Sequence, residues 1–179
     1  MFFHLRDLEV RAVNFSVEIP AGEIEFLDPK LRQAGPLAAS GAAELTIEAL
    51  GEIRVKGHVR VRMEGECDRC LEMTELPIDS DFELFYRPVE EGGGGEERLL
   101  DDGEAQMGFY EGEGLELNEV LREFVLLTLP MQRLCGTDCV GICPVCGQNR
   151  NKQDCQCQRA SGDDRWSALK EVVLKDSKN

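Results

Sequence analysis

Alternation dominates the first half of the chain. Ile53, Val55, Val59, Val61, Met63 and Cys67 fall on one set of alternate positions, and Arg54, Lys56, His58, Arg60 and Arg62 lie between them. A period of two predicts a strand with one buried face. Leu76 to Tyr86 alternates similarly, and Ala43 to Leu50 reads as a further strand that turns at Gly51. Asn14 to Ile19 gives a weaker strand signal. Strands joined by short connections predict an antiparallel meander. Ile24 to Pro36 lacks a clear period and is read as holding a short helical turn.

The period changes at Leu117. Leu117, Val120, Leu121, Phe124 and Val125 recur at helical spacing, with Asn118 as the N-cap and Pro130 as the stop, so a helix is expected over 117–129. Its last turn is apolar nearly all round, which suits burial against the sheet. A second helix is expected from Asp164 to Lys175, capped by Asp163, with Trp166, Leu169, Val172 and Val173 on one face. Its acidic start and its late lysines, Lys170 and Lys175, complement the helix dipole. Residues 88–116 read as a solvated loop, because acidic side chains crowd around Gly92 to Gly95.

Charge narrows the partners. The chain carries 35 acidic and 20 basic side chains over 179 residues, a net of −15. Most of the excess lies in 67–116, where 16 acidic residues face 3 basic ones. A protein so charged is not a non-specific nucleic-acid coat, and any RNA contact needs a local basic patch. Met1 to Asp7 lacks an apolar stretch, so no secretory leader is expected, and the longest largely apolar run, Phe124 to Leu129, is too short to span a bilayer. A cytoplasmic protein with reduced thiols is expected.

Eight cysteines then carry the chemistry. They come as Cys67-x2-Cys70, Cys135-x3-Cys139, Cys143-Pro-Val-Cys146-Gly and Cys155-x-Cys157. Each pair can bite one metal ion, and zinc closes a structural site with four thiolates. Two zinc ions per chain are expected, each site adding roughly −2 to the charge. Cys143, Cys146, Cys155 and Cys157 form a compact C-x2-C-x8-C-x-C set, which leaves Cys135 and Cys139 to join Cys67 and Cys70. A swap of partners between the ions is the alternative, as are free thiols at Cys67 and Cys70, where Leu71 stands in place of a knuckle glycine. Four disulfides fit less well, since such close pairs suit a metal better.

Nothing else looks catalytic. His4 and His58 have no nucleophile pattern beside them, and there is no phosphate loop, dinucleotide fingerprint or H-E-x-x-H. No enzyme, small-molecule substrate or membrane role is expected. The other candidate site is the basic strand face, where Arg54, Lys56, Arg60 and Arg62 could follow an RNA backbone. The competing expectation pairs them with Glu44, Glu48, Asp79, Asp81 and Glu83 on neighbouring strands.

The expected fold is α+β: an antiparallel β-sheet meander packed by a buried helix, with a C-terminal zinc-binding module and terminal helix. The boundary is placed between 1–134 and 135–179.

Read together, Glu66-Cys67-Asp-Arg-Cys70-Leu71-Glu72, Leu129-Pro130, the run from Cys135 to Cys157 with Gly147-x-Asn149-x-Asn151 inside it, and Asp164-Arg165-Trp166-x2-Leu169 resemble the YceD family. One departure is Asp164, where the resemblance expects proline. These are bacterial and plastid proteins of large ribosomal RNA subunit accumulation. The resemblance implies a non-enzymatic role in ribosome biogenesis, with large-subunit (23S) ribosomal RNA or a ribosome-assembly protein as partner. A protein-interaction adaptor in RNA processing or transcription, and a thiol-based redox or zinc switch, are the rival readings.

Overall fold

The strand that begins at Ile53 organises the molecule. The computed structural model describes residues 1–46, 51–89 and 107–157. In chain order they form β1 (Phe2–His4), α1 (Leu5–Leu8), β2 (Val13–Ile19), β3 (Leu31–Gln33), β4 (Leu37–Leu45), β5 (Ile53–Glu66), β6 (Met73–Pro88), β7 (Met107–Tyr110), β8 (Gly114–Glu116) and α2 (Leu117–Thr128). One sheet runs β2-β4-β5-β6-β7, and β3 pairs β5 beyond the end of β4. β4, β5 and β6 follow the expected antiparallel order. β7 departs from it and lies parallel to β6. A separate antiparallel pair joins β1 to β8. The architecture is α+β.

Alternation in β5 becomes burial. Ile53, Val55, Val59 and Met63 are fully buried, while Lys56, Arg60 and Arg62 are exposed. Each such apolar side chain contributes roughly 1.5–3 kcal/mol by leaving water. Helix α2 covers this inner face with buried Leu117, Val120, Leu121 and Val125. Its Phe124 ring stacks 5.1 Å from Phe82 of β6, and Tyr86 donates its hydroxyl to Glu123 at 2.7 Å. Burial, with the Glu123 carboxylate beside it, pushes the Tyr86 hydroxyl well above its ordinary range.

Two glycines shape the sheet. Gly41 and Gly57 face each other across β4 and β5. A Cβ on Gly41 would lie 2.1 Å from the Lys56 carbonyl oxygen, and one on Gly57 would lie 2.3 Å from that of Ser40. Only glycine lets the backbones come this close. Buried Phe15 and Phe82 flank the pair in the same row, and the Phe15 ring reaches within 2.9 Å of where a Gly41 Cβ would lie.

Several expectations are corrected. Ile24 to Pro36 holds the short strand β3 rather than a helical turn. Three residues are too few to show a period, and the pairing of Leu31 with Gly65 comes from the far end of β5. The strand expected at Ala43 begins at Leu37, because Ala38, Ala39, Ser40 and Gly41 carry little hydrophobic signal but are hydrogen-bonded on both sides. Residues 47–50 lie outside the described residues. The loop expected over 88–116 contains β7 and β8. Tyr110 is buried there and donates to the Gly51 carbonyl at 2.5 Å. Helix α2 starts at Leu117 with Glu116, not Asn118, at its N-cap. The Leu117 N–H is satisfied by the Met1 carbonyl at 2.9 Å, and Glu116 makes no side-chain cap bond. The helix ends at Thr128, and Leu129 is extended before Pro130. The helix expected over Asp164–Lys175 lies outside the described residues.

Candidate metal centres

The thiols converge into two clusters. Cys67, Cys70, Cys135 and Cys139 form one, and Cys143, Cys146, Cys155 and Cys157 the other, with all sulfur atoms of a cluster within 4.8 Å of one another. Cys67 follows the last residue of β5, and Cys70 sits in the turn to β6. Cys135 and Cys139 follow α2. The first cluster therefore pins the β5–β6 turn to the chain beyond the helix.

Sulfur spacing tests the fit to a metal. Zinc–sulfur bonds of about 2.3 Å in a tetrahedron set sulfur–sulfur edges of about 3.8 Å. Cys67 Sγ lies 3.8 Å from Cys139 Sγ, and Cys70 Sγ lies 3.6 Å from Cys135 Sγ. A disulfide needs about 2.05 Å, and all eight cysteines are free. The arrangement suits a four-thiolate metal centre.

Both clusters begin with the same knuckle. The Leu71 N–H donates to the Cys67 carbonyl at 2.9 Å, and the Gly147 N–H to the Cys143 carbonyl at 2.8 Å. The Cys67 N–H then reaches the Glu72 carbonyl, and the Cys143 N–H the Gln148 carbonyl, each at 2.8 Å. Such a turn needs a left-handed residue after the second cysteine. Gly147 supplies it at φ 74°, and Leu71 adopts it at φ 63° despite its side chain. A non-glycine residue there costs roughly 1–2 kcal/mol. The turn thus forms with or without glycine, which sequence alone left open.

The clusters are built to hold negative sulfur. Burial pushes the Cys67 thiol up, but N–H groups of Arg69, Cys70 and Cys135 more than offset it and hold it at about 6. The N–H groups of Cys146 and Val145 hold Cys143 at about 6 as well. Their neighbours move the other way: the sulfurs of Cys139 and Cys70 push Cys135 up to about 12, and Cys146 does the same to Cys157. Four thiolates this close repel one another, and a divalent cation at the centre relieves that repulsion.

Residues outside the ligand set tie the clusters together. Asn151, in the loop between Cys146 and Cys155, donates from Nδ2 to Cys139 Sγ at 3.3 Å and accepts the Val140 N–H at 2.8 Å. Arg69 donates to the Cys139 carbonyl at 3.0 Å, and its own carbonyl accepts the Ile142 N–H at 3.0 Å. Glu72 receives Lys152 at 2.6 Å and Asn149 at 3.2 Å. Hydrogen bonding from Lys152, then Asn149, holds the Glu72 carboxyl below its usual range. Asp68 accepts the Arg133 N–H at 2.7 Å, and the Arg133 guanidinium reaches Asp28 at 2.9 Å. Sequence reasoning assigned none of these residues a role. The available signals were Asp68, Arg69 and Glu72 around the first knuckle and the Gly147-x-Asn149-x-Asn151 spacing within the second set of cysteines.

The basic strand face is paired. Arg54 bonds both Glu44 and Glu83, and Lys56 reaches Glu44 at 3.2 Å. His58 lies between Asp79 and Asp81, each at 2.8 Å, and Arg60 reaches Asp79 at 2.8 Å. Arg62 is exposed and has no ion pair among the described residues. Glu48 lies outside the described residues.

Cysteine order, knuckle geometry and strand order are thus defined. The profile of the family described as large ribosomal RNA subunit accumulation protein YceD matches residues 55–172, a span that includes all eight cysteines. The chain belongs to the YceD family. Within that family it is 30% identical over 139 residues to the chloroplastic large ribosomal RNA subunit accumulation protein YCED homolog 1 of Arabidopsis thaliana, covering 66% of this chain and 43% of that relative. It is 29% identical over 132 residues to uncharacterized proteins of Mycobacterium bovis and Mycobacterium tuberculosis, covering 73% of this chain and 60% of each of them. The chain therefore spans less than two thirds of the length of these relatives. No solved structure matches it.

Proposed function

We propose that this YceD protein supports accumulation of large-subunit (23S) ribosomal RNA in the cytoplasm, without enzymatic activity, and that both cysteine clusters hold structural zinc. The observation that carries the reading is the pair of four-sulfur clusters, each with its sulfurs within 4.8 Å of one another, the first with two edges of 3.8 and 3.6 Å. Four thiolates complete the coordination of zinc and leave no position for a reacting water. Zinc supplies cross-linking here: the first cluster holds the β5–β6 turn against the chain after α2. Among the described residues no helix is long and apolar enough to cross a membrane.

Family membership points to the RNA, and the paired strand face bears on how it is reached. The carboxylate partners of Arg54, Lys56 and Arg60 leave no continuous row of unpaired cations on β5. That favours a ribosome-assembly protein as the direct partner, with the chain acting as a zinc-stabilised adaptor.

Depletion of the protein in growing cells tests the reading. The ratio of large- to small-subunit ribosomal RNA should fall, and the parental chain should restore it. An unchanged ratio refutes the assignment. Crosslinking and capture, read for both RNA and protein, separates direct RNA contact from the adaptor role. Thiols of the zinc-loaded protein should resist alkylation, and rapid modification would favour a redox switch instead.

A further inference from the structure

Asn151 belongs to one cluster by sequence and serves the other by contact. It lies in the loop that closes the second cluster, between Cys146 and Cys155. Its amide reaches out of that loop to the first. Oδ1 accepts the Val140 N–H at 2.8 Å, which orients the amide, and Nδ2 then faces Cys139 Sγ at 3.3 Å. The orientation is determined, because a backbone N–H requires the oxygen on its side. Asn149 braces the same group: its Oδ1 accepts Asn151 Nδ2 at 3.0 Å and the Asn151 N–H at 2.9 Å. The Arg150 N–H holds the Gly141 carbonyl at 2.9 Å, so the loop grips the chain right after Cys139.

We infer that the two centres load metal cooperatively, with Asn151 as the positioning residue that transmits the coupling. The inference rests on the zinc reading above. Drawing the two ends of this loop, at Cys146 and Cys155, to one ion would fix the segment that carries Asn151. An N–H directed at a thiolate spreads its charge and fixes the rotamer of its ligand. Outer groups of this kind are typically worth 10–100-fold in metal affinity. Metal in the second centre thus prepares Cys139 in the first. Binding linkage is reciprocal, so metal in the first centre favours the second by the same factor.

Backbone contacts between the clusters do not replace this bond. Arg69 gives its guanidinium to the Cys139 carbonyl and its carbonyl to the Ile142 N–H, but neither bond reaches Cys139 Sγ. Asn151 is the side chain of the second loop that does.

The test uses the full chain, stripped of metal under reducing conditions and titrated with cobalt(II), whose thiolate charge-transfer and ligand-field bands report each centre. Cys143→Ser and Cys135→Ser variants assign the bands. Asn151→Asp keeps the acceptor for Val140 and loses the donor to sulfur, whereas Asn151→Leu loses both. Both should weaken the first centre 10–100-fold and shift its charge-transfer band, leaving all eight cysteines in place. First-centre affinity and bands equal to the parent's in both variants would overturn the inference. A change in Asn151→Leu alone would also overturn it, since that assigns the effect to the Val140 tie. If neither variant folds, Cys155→Ser decides: a first centre weakened at a distance supports coupling, and one unchanged refutes it. A parent that binds no metal at all would instead fail the zinc reading.

Discussion

Gly57→Ala asks whether the close approach of β4 and β5 is a requirement of the fold. A Cβ at residue 57 would sit 2.3 Å from the Ser40 carbonyl oxygen and 3.0 Å from the Gly41 Cα. Carbon and oxygen tolerate about 3.3 Å, so the strands must part by about 1 Å at this row. That displacement stretches the flanking interstrand hydrogen bonds past their useful range, near 3.2 Å. Two such bonds at about 1 kcal/mol each, with overpacking strain of about 1–3 kcal/mol, give a loss of about 3–5 kcal/mol. Alanine returns about 0.4–1 kcal/mol by restricting the unfolded chain. The net is about 2–5 kcal/mol, or a melting temperature lower by roughly 4–20 °C for a chain of this size. Thermal unfolding followed by circular dichroism, at fixed zinc, measures it. Gly35→Ala is the control, because its Cβ would meet only the mobile guanidinium of Arg62, at 3.4 Å. That variant should melt within about 2 °C of the parent, as surface changes of about 0.5 kcal/mol do. A Gly57→Ala protein that also melts within that margin would refute the argument from backbone approach.

Elemental analysis of protein purified under reducing conditions should find one zinc ion for each of the two clusters, and a single ion would remove the first. Cys67→Ser should lower the melting temperature of the sheet, since Cys67 directly follows β5, whereas Cys155→Ser should mainly raise hydrogen exchange over 140–157; equal global unfolding contradicts the division. His58 is held above its ordinary value of 6.5 by hydrogen bonding to Asp81, with Asp79 adding to it. Its contribution to stability is therefore full below pH 6.5 and fades as pH rises through the folded-state value. His58→Gln should flatten the pH dependence of the melting temperature in that window, and an unaltered profile would show the pairs carry no linkage. Replacing Arg60 and Arg62 together with Gln should leave RNA association unchanged at two salt concentrations; a slope reduced by roughly one per charge would instead reveal phosphate contacts.

The local period made the centre of the molecule legible. Alternation identified β5, its inner face and the strand after it, because burial on one face writes itself into every second residue. Helical spacing identified α2, and Pro130 marked where it stops. Elements whose reason is a distant partner were not legible. β3 exists because Leu31 pairs with Gly65, and β8 because Leu115 pairs with Phe3. The acidic composition around β7 hid a strand whose anchor is one buried tyrosine, Tyr110.

The donor chemistry on offer was set by sequence alone, since eight cysteines in four close pairs can present only sulfur to a metal whatever the fold. Ligand grouping followed from spacing only for the compact second cluster. The first joins residues separated by 65 and 72 positions, and only the packing of α2 on the sheet brings Cys135 and Cys139 to Cys70 and Cys67. Tertiary structure also decided the state of the basic row. Charge order along β5 left open whether the row was free or paired with acidic neighbours, because each strand's partners are chosen by register. That register sets Arg54 opposite Glu44, and Arg60 opposite Asp79. Asn151 is the same lesson at the clusters: its hydrogen-bonding capacity is a property of the residue, and the sulfur it serves is chosen by the fold.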